Sequence, residues 1–310
     1  MLVSSGKVAV SCVLDDAGSA DDGTITLTTT GGTGAYTYDW ADVAGTDNDA
    51  DRTDLAAGTY TVTIFGAFPR FSSTGSTLVS IEQWGSNPWQ SVEEAFKDLT
   101  FTINATDVPN LTNITSLANM FENTSMGNPD LTTWNVSAIT DMSALFSGSD
   151  FNGDITNWNV SNVTDMSSMF SSTSNFNGDI SGWNVSNVTN MENLFGSASA
   201  FNIDISSWDV SNVSTMKGMF RSTQVFNQPL EDWDVSNVTD MTTMFNSSKA
   251  FNQPLNGWDV SSVTKMQLMF QQADAFNQDL NGWDVSKVEL FDEMFKQTDL
   301  FNGNISSWDV

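Results

Sequence analysis

Histidine is absent from this chain, and cysteine occurs once, at Cys12. The first absence removes the commonest general base and the commonest metal ligand of enzyme sites. The second excludes an internal disulfide, and Cys12 falls in the alternating run Val8, Val10, Cys12, Leu14, where a core thiol is expected. Positive charge is scarce as well: 10 Lys and Arg stand against 38 Asp and Glu, a formal net charge of −28. Nucleic acid and anionic membrane both need a Lys/Arg footprint, so neither is expected as a partner. No apolar run approaches the roughly 18 residues of a membrane span. The opening MLVSSGKVAV has too short an apolar core for a secretory signal. A removed signal, a fragment, or another route outward such as assembly into a virus particle is therefore expected. A glycine-rich phosphate loop, a Cys/His metal spacing and a nucleophile elbow are missing, and carboxylate pairs are too common here to nominate a glycosidase dyad. The expectation is a non-enzymatic protein without a required cofactor.

What is present is repetition. Trp recurs at Trp134, Trp158, Trp183, Trp208, Trp233, Trp258, Trp283 and Trp308, every 25 residues except for one step of 24. Phe121, Phe146, Phe170, Phe195, Phe220, Phe245, Phe270 and Phe295 keep the same phase, and so does a Phe-Asn pair from Phe151-Asn152 to Phe301-Asn302. Three aromatic rows in one phase describe a coil of stacked turns, because one such unit cannot bury its apolar face alone. Within a turn, Ile155, Trp158 and Val160 end in a period-2 pattern and predict a short strand. Val163, Met166, Met169 and Phe170, spaced by three and four, predict a short amphipathic helix. A return loop passes through Phe176-Asn177, with Gly178, Gln228-Pro229 or Gln253-Pro254 as turn residues. The Asn of the Phe-Asn pair is placed to form a ladder that satisfies loop backbone groups.

The unit Ile-x-x-Trp-x-Val is similar to the strand of leucine-rich repeats. The stretch WDVSNVTDM…MF…FNQPL, from Trp233 to Leu255, resembles the repeat of BspA-like bacterial surface proteins. That resemblance covers about two thirds of the chain and implies a right-handed α/β solenoid, extracellular display and roles in adhesion. Val163 and its equivalents replace the buried Asn of ordinary leucine-rich repeats.

The first 66 residues read differently. Alternation over Thr24 to Thr30, over Tyr36, Tyr38 and Trp40, and over Thr59 to Ile64, with turn signals between, predicts a small immunoglobulin-like β-sandwich. The wording TITLTTTGGTGAYTYDW…DLAAGTYTVTI resembles the SprB-type repeat of Bacteroidetes cell-surface adhesins, which again implies an extracellular place. Residues 67–77 read as a linker, 78–120 as a cap with a degenerate turn, and 121–310 as the solenoid proper. The C-terminal end lacks a polar closing repeat, and an uncapped end exposes core and associates. Trp308 and Val310 are thus candidate assembly residues.

Two polar features are candidate sites. Asp39, Asp42, Asp47, Asp49 and Asp51, with Asp54, crowd one loop that could chelate Ca²⁺, although the ligand order of an EF-hand is missing. Asn135, Asn159, Asn184, Asp209, Asp234, Asp259, Asp284 and Asp309 form one row. On strands about 4.8 Å apart, neighbouring carboxylates of that row repel by about 0.8 kcal/mol in water. A divalent cation or a basic partner would relieve this; short polar side chains that cap local backbone would explain the row equally. Asn-x-Ser/Thr triplets, as at Asn159, Asn162, Asn184 and Asn187, are by-products of the repeat and matter only in a glycosylating host. Two functions follow: an extracellular adhesion or display module binding glycans or surface proteins through the polar face, or a subunit of a filament or virion appendage joined to copies of itself through its ends.

Overall fold

The structure, a computed structural model, describes residues 7–14, 23–30, 37–40, 51–55, 58–65, 70–73, 77–85 and 89–309. It contains the strands β1 (Lys7–Leu14), β2 (Gly23–Thr30), β3 (Thr37–Trp40), β4 (Asp51–Leu55), β5 (Gly58–Phe65), β6 (Arg70–Ser73), β7 (Thr77–Gln83) and β8 (Thr102–Ile103). They form a five-stranded sheet of order β3-β5-β1-β7-β8 and a three-stranded sheet of order β4-β2-β6. Alternating β-branched and aromatic residues suit both faces of such strands, and the buried Trp40 and Val62 are partners across β3 and β5.

Three of these strands lie where none was expected. β4 occupies part of the acidic stretch, β6 lies inside the segment read as a linker, and β7, in the segment read as a cap, belongs to the N-terminal sheet. Two register shifts interrupt the pairing of β7 with β1. Leu78 and Ile81, three apart, are therefore both buried, and the period-2 signal is lost. β6 (RFSS) is too short and polar to signal at all.

β7 also leads into the repeats. Its other edge pairs in parallel with β8, and Thr100 bridges Ser125 in the same sense. Single parallel bridges then run Ser116–Asp141–Asp165–Asn190–Thr215–Asp240–Lys265–Leu290, one per turn. The buried apolar side chains from Trp40 to Met294 form one connected cluster.

No helix occurs among the described residues, and the segment with helical spacing is built differently. The N–H groups of Met166, Ser168, Phe170 and Ser172 donate to the carbonyls of Asn190, Glu192, Leu194 and Gly196 in the next turn. The carbonyls of Asp165, Ser167, Met169 and Ser171 accept from the turn before. The remaining N–H groups of Met169, Ser171 and Thr173 close i→i−3 turns. Ser168 and Ser172 have φ of 55° and 58°, and the same two positions are left-handed in successive turns. That conformation ends a right-handed helix. Two helical turns standing alone are marginal, whereas the stack gives every peptide group here a partner. The predicted strand at Trp158–Val160 is likewise irregular, and the bridge falls at Asp165 instead.

The core is aromatic and stacked. Phe170 lies 5.9 Å from Phe195 at 3°, and Phe176 lies 6.2 Å from Phe201 at 6°. Within one turn Phe170 and Phe176 face each other at 3.9 Å. Two Phe columns therefore run side by side. Trp158 and Trp183, at 6.5 Å and 4°, belong to a third column. From Trp158 to Trp308 each indole N–H is satisfied by the preceding turn, as Trp208 is by the carbonyl of Ile180 at 3.2 Å.

The single 24-residue step has a definite place. Asn128 to Asn152 spans it, while Phe151 to Phe176 is again 25, so the short loop is the one holding Ser149, Asp150 and Phe151. Asp150 compensates by accepting from the Ser125 hydroxyl and the N–H groups of Met126 and Gly127.

Candidate functional site: the polar face and the open end

Most corners of the turns are made by Asp or Asn, although Pro229 and Pro254 stand at the first corner and Thr215, Lys265 and Leu290 at the third in some turns. At the first, Asp154 accepts the N–H of Thr156, as Asp179 does that of Ser181 and Asp204 that of Ser206. At the second, Asn135, Asn159, Asn184, Asp209, Asp234, Asp259 and Asp284 each accept, through Oδ1, the N–H of the Ser two residues on, at 3.0–3.2 Å. At the third, Asp165 accepts from Ser167 and Asp240 from Thr242. These are Asx turns, in which a short side chain stands in for a backbone carbonyl. The predicted row is thus continuous, exposed and structurally employed. Its Oδ1 atoms hold the corners, while Oδ2 of Asp209, Asp234, Asp259 and Asp284 and Nδ2 of Asn159 and Asn184 make no bond among the described residues.

The corner bonds favour the ionised form. The Ser211 hydroxyl and N–H hold the Asp209 carboxyl below its ordinary value, and Ser261 and Ser286 do the same for Asp259 and Asp284.

Two ladders flank the row. Oδ1 of Asn152, Asn177, Asn202, Asn227, Asn252 and Asn277 accepts the N–H of the Asn one turn later, at 2.6–3.0 Å. The amides of Asn162, Asn187, Asn212 and Asn237 donate back to Ser137, Ser161, Ser186 and Ser211. Of the Asn-x-Ser/Thr triplets, then, Asn162 and Asn187 have their Nδ2 occupied.

Charge is divided between the two halves of each turn. Residues 150–163, 175–188, 200–213, 225–238 and 250–263 contain no Lys or Arg, and every one of these segments carries Asp; the corresponding stretch 275–288 holds Lys287 beside Asp259 and Asp284 of the row. The ion pairs lie in the other half: Lys97–Glu122, Lys217–Glu192, Lys249–Asp274, Lys265–Asp240 and Lys296–Glu293. From residue 150 to residue 263 the half that holds the row has no cation of its own.

The predicted calcium loop lies mostly outside the described residues. Asp39 lies in β3 and Asp51 in β4, in different sheets, while Asp42, Asp47 and Asp49 lie outside the described residues. Among the described residues no three His, Cys, Asp or Glu side chains converge on a metal position.

At the C-terminal end, Trp308 is half-buried, stacked on Trp283 at 6.1 Å, and its Nε1 donates to the Leu280 carbonyl at 2.9 Å. Val310 lies outside the described residues. Phe291, Met294, Phe295, Ile305 and Trp308 line an open cavity of about 390 Å³, with Glu293 and Lys296 at its rim. Beside it, the N–H groups of Phe291, Glu293, Phe295 and Gln297 have no acceptor among the described residues. Sequence reasoning could not find these four groups, since they are backbone and depend on a ladder that the spacing did not show.

Residues 10–45 match the SprB repeat. No curated protein and no solved structure matches the chain. Residues 90–202, 115–233 and 215–310 match one family in three overlapping passes, covering the stacked turns from Gln90 onward. The chain belongs to the family described as Mycoplasma protein of unknown function, DUF285.

Proposed function

We propose that this is a non-enzymatic extracellular adhesion or display module, in which a leucine-rich-repeat-like solenoid presents the Asx-corner face to glycans or basic surface proteins. The observation that carries this reading is the cation-free half of five successive turns, from residue 150 to residue 263, with one carboxylate oxygen or amide per corner left outward. Side chains already held by corner bonds lose little freedom on contact, so each contact is weak but inexpensive in entropy. Repetition then multiplies weak contacts into avidity. The SprB match supports a place at the cell surface, where such repeats are typical. The resemblance of the turns to BspA-like surface proteins supports it further.

The test is binding of the purified chain to a glycan array and to cells, with and without calcium, beside the variant Asp209→Asn/Asp234→Asn/Asp259→Asn/Asp284→Asn. Asn preserves the corner acceptor, so the variant keeps its fold. Loss of binding in the variant, with weakening in salt, is expected. Equal binding by both proteins overturns the assignment of this face.

A further inference from the structure

We propose that the cavity between Val108–Thr112 and Asn135–Ala138 holds one residue of an N-acetylhexosamine, a neutral sugar recognised through its acetamido group. The inference rests on the reading of the corner face as a glycan-binding surface, and it adds the class of sugar and the place where that sugar is held.

The corner row begins at Asn110, one turn before Asn135. Oδ1 of Asn110 accepts the N–H and the hydroxyl of Thr112, as Oδ1 of Asn135 does those of Ser137. Between these two corners, both columns that close the later turns are interrupted. Pro109 stands 25 residues before Trp134, where the Trp column would continue, and on the core side Trp84 meets Trp134 edge-on at 5.3 Å. Ala138 stands where Asn162, Asn187, Asn212 and Asn237 donate their amides to a carbonyl of the preceding turn, at 2.7–2.8 Å. The Thr112 carbonyl, counterpart of the Ser137 carbonyl that takes the Asn162 amide, therefore has no donor among the described residues.

These two omissions leave an open cavity of about 270 Å³, with Val108, Pro109 and Ala138 as its apolar wall and Asn110, Thr112 and Asn135 as its polar one. The volume lies just under the roughly 300–1,000 Å³ of sites for drug-sized ligands, which suits a single sugar ring. Each wall makes its own demand on the occupant. The Thr112 carbonyl calls for an N–H where later turns place the ladder amide. Nδ2 of Asn110 and of Asn135 make no bond among the described residues and call for a carbonyl oxygen. Val108, 40% exposed, calls for an apolar group to cover it. An acetamido group carries an N–H, a carbonyl and a methyl in one planar unit, so the ligand supplies the amide that Ala138 lacks. A hexose without that group offers hydroxyls alone and leaves the apolar wall uncovered. An anionic sugar is disfavoured by a chain of net charge −28.

The test is NMR titration of the full chain with N-acetylglucosamine and N-acetylgalactosamine, beside glucose and galactose. At least one acetamido sugar is expected to bind about tenfold or more tightly than its parent hexose, and to shift the side-chain amide signals of Asn110 and Asn135. Ala138→Asn places in the cavity the residue that four later turns already hold, and is expected to weaken binding by about tenfold or more. Asp209→Asn/Asp234→Asn/Asp259→Asn/Asp284→Asn is expected to bind the acetamido sugar as the parent does, so failure of the carboxylate row and failure of this cavity are told apart. Absence of binding, a preference below about tenfold, or shifts confined to other residues overturns the proposal, and these readouts need no variant to fold. Undiminished binding by Ala138→Asn overturns it as well, and so does loss of sugar binding in the fourfold variant, which would place the sugar on the row.

Discussion

The indole N–H of Trp258 ends on the carbonyl oxygen of Leu230 in the preceding turn, 2.8 Å away, and that oxygen also accepts the N–H of Trp233. One buried atom thereby ties a corner to itself and to its neighbour. Replacing Trp258 by Phe leaves the Trp233 bond and removes the tie between turns. A loss of about 1–3 kcal/mol is expected in urea unfolding, and about 3–5 kcal/mol for Trp258→Ala, which also opens a cavity between stacked rings.

The asparagine ladder offers a cleaner separation of acceptor from volume. Oδ1 of Asn227 receives both the Asn252 N–H and the Gln253 amide. Asn227→Ala is expected to cost about 0.5–1.5 kcal/mol at this exposed site. Asn227→Asp, which keeps the acceptor, is expected to lose less, and paired denaturation curves at neutral pH measure the difference.

Acid should act on the corners. A carboxyl held below its ordinary range stabilises the fold above that range, and the contribution is lost as pH falls through the lowered value. The carboxyls of Asp209 and Asp259 are both lowered, first by the neighbouring Ser hydroxyl and then by its N–H. Asp209→Asn/Asp259→Asn is therefore expected to show a shallower fall in melting temperature than the parent protein on acidification below the carboxylate range, with equal melting of the two at neutral pH within about 0.5 kcal/mol.

Left-handed backbone at residues other than Gly and Asn leaves room for improvement. Ser222 has φ of 60°, at the position that Gly148 fills three turns earlier with φ of 69°. Left-handed conformation costs an ordinary side chain about 1–2 kcal/mol, partly offset by the greater freedom that Gly loses on folding. Ser222→Gly is expected to raise stability by about 0.5–1 kcal/mol, as read by thermal melting.

Much of this was visible in the residues. The Trp and Phe rows stack at the step on which they recur, and the Asn of the Phe-Asn pair accepts from its neighbour as its placement suggested. The backbone between Val163 and Phe170 was not visible. Spacings of three and four place the same residues inward whether N–H groups point along a helix or across to the next turn, and composition does not distinguish the two. The corner row could be read as a column but not as a set of Asx turns with one oxygen already committed. β6 and β7 went unread because a bulge and a four-residue polar strand leave no alternation.

The short loop at Ser149–Phe151 shows where the stack tolerates a change of length. A residue is dropped there, yet Phe146 and Phe170 still stack at 5.8 Å and Asn152 still reaches Asn128. The residue just before the Phe-Asn pair varies freely from turn to turn, Asp150, Asn175, Ala200, Val225, Ala250, Ala275 and Leu300, and Val225 and Leu300 stand 46% and 63% exposed. This corner is thus the one through which foreign sequence can enter without disturbing the columns: a loop spliced between Gln224 and Phe226 would be held out from the coil by a frame that never registers its length.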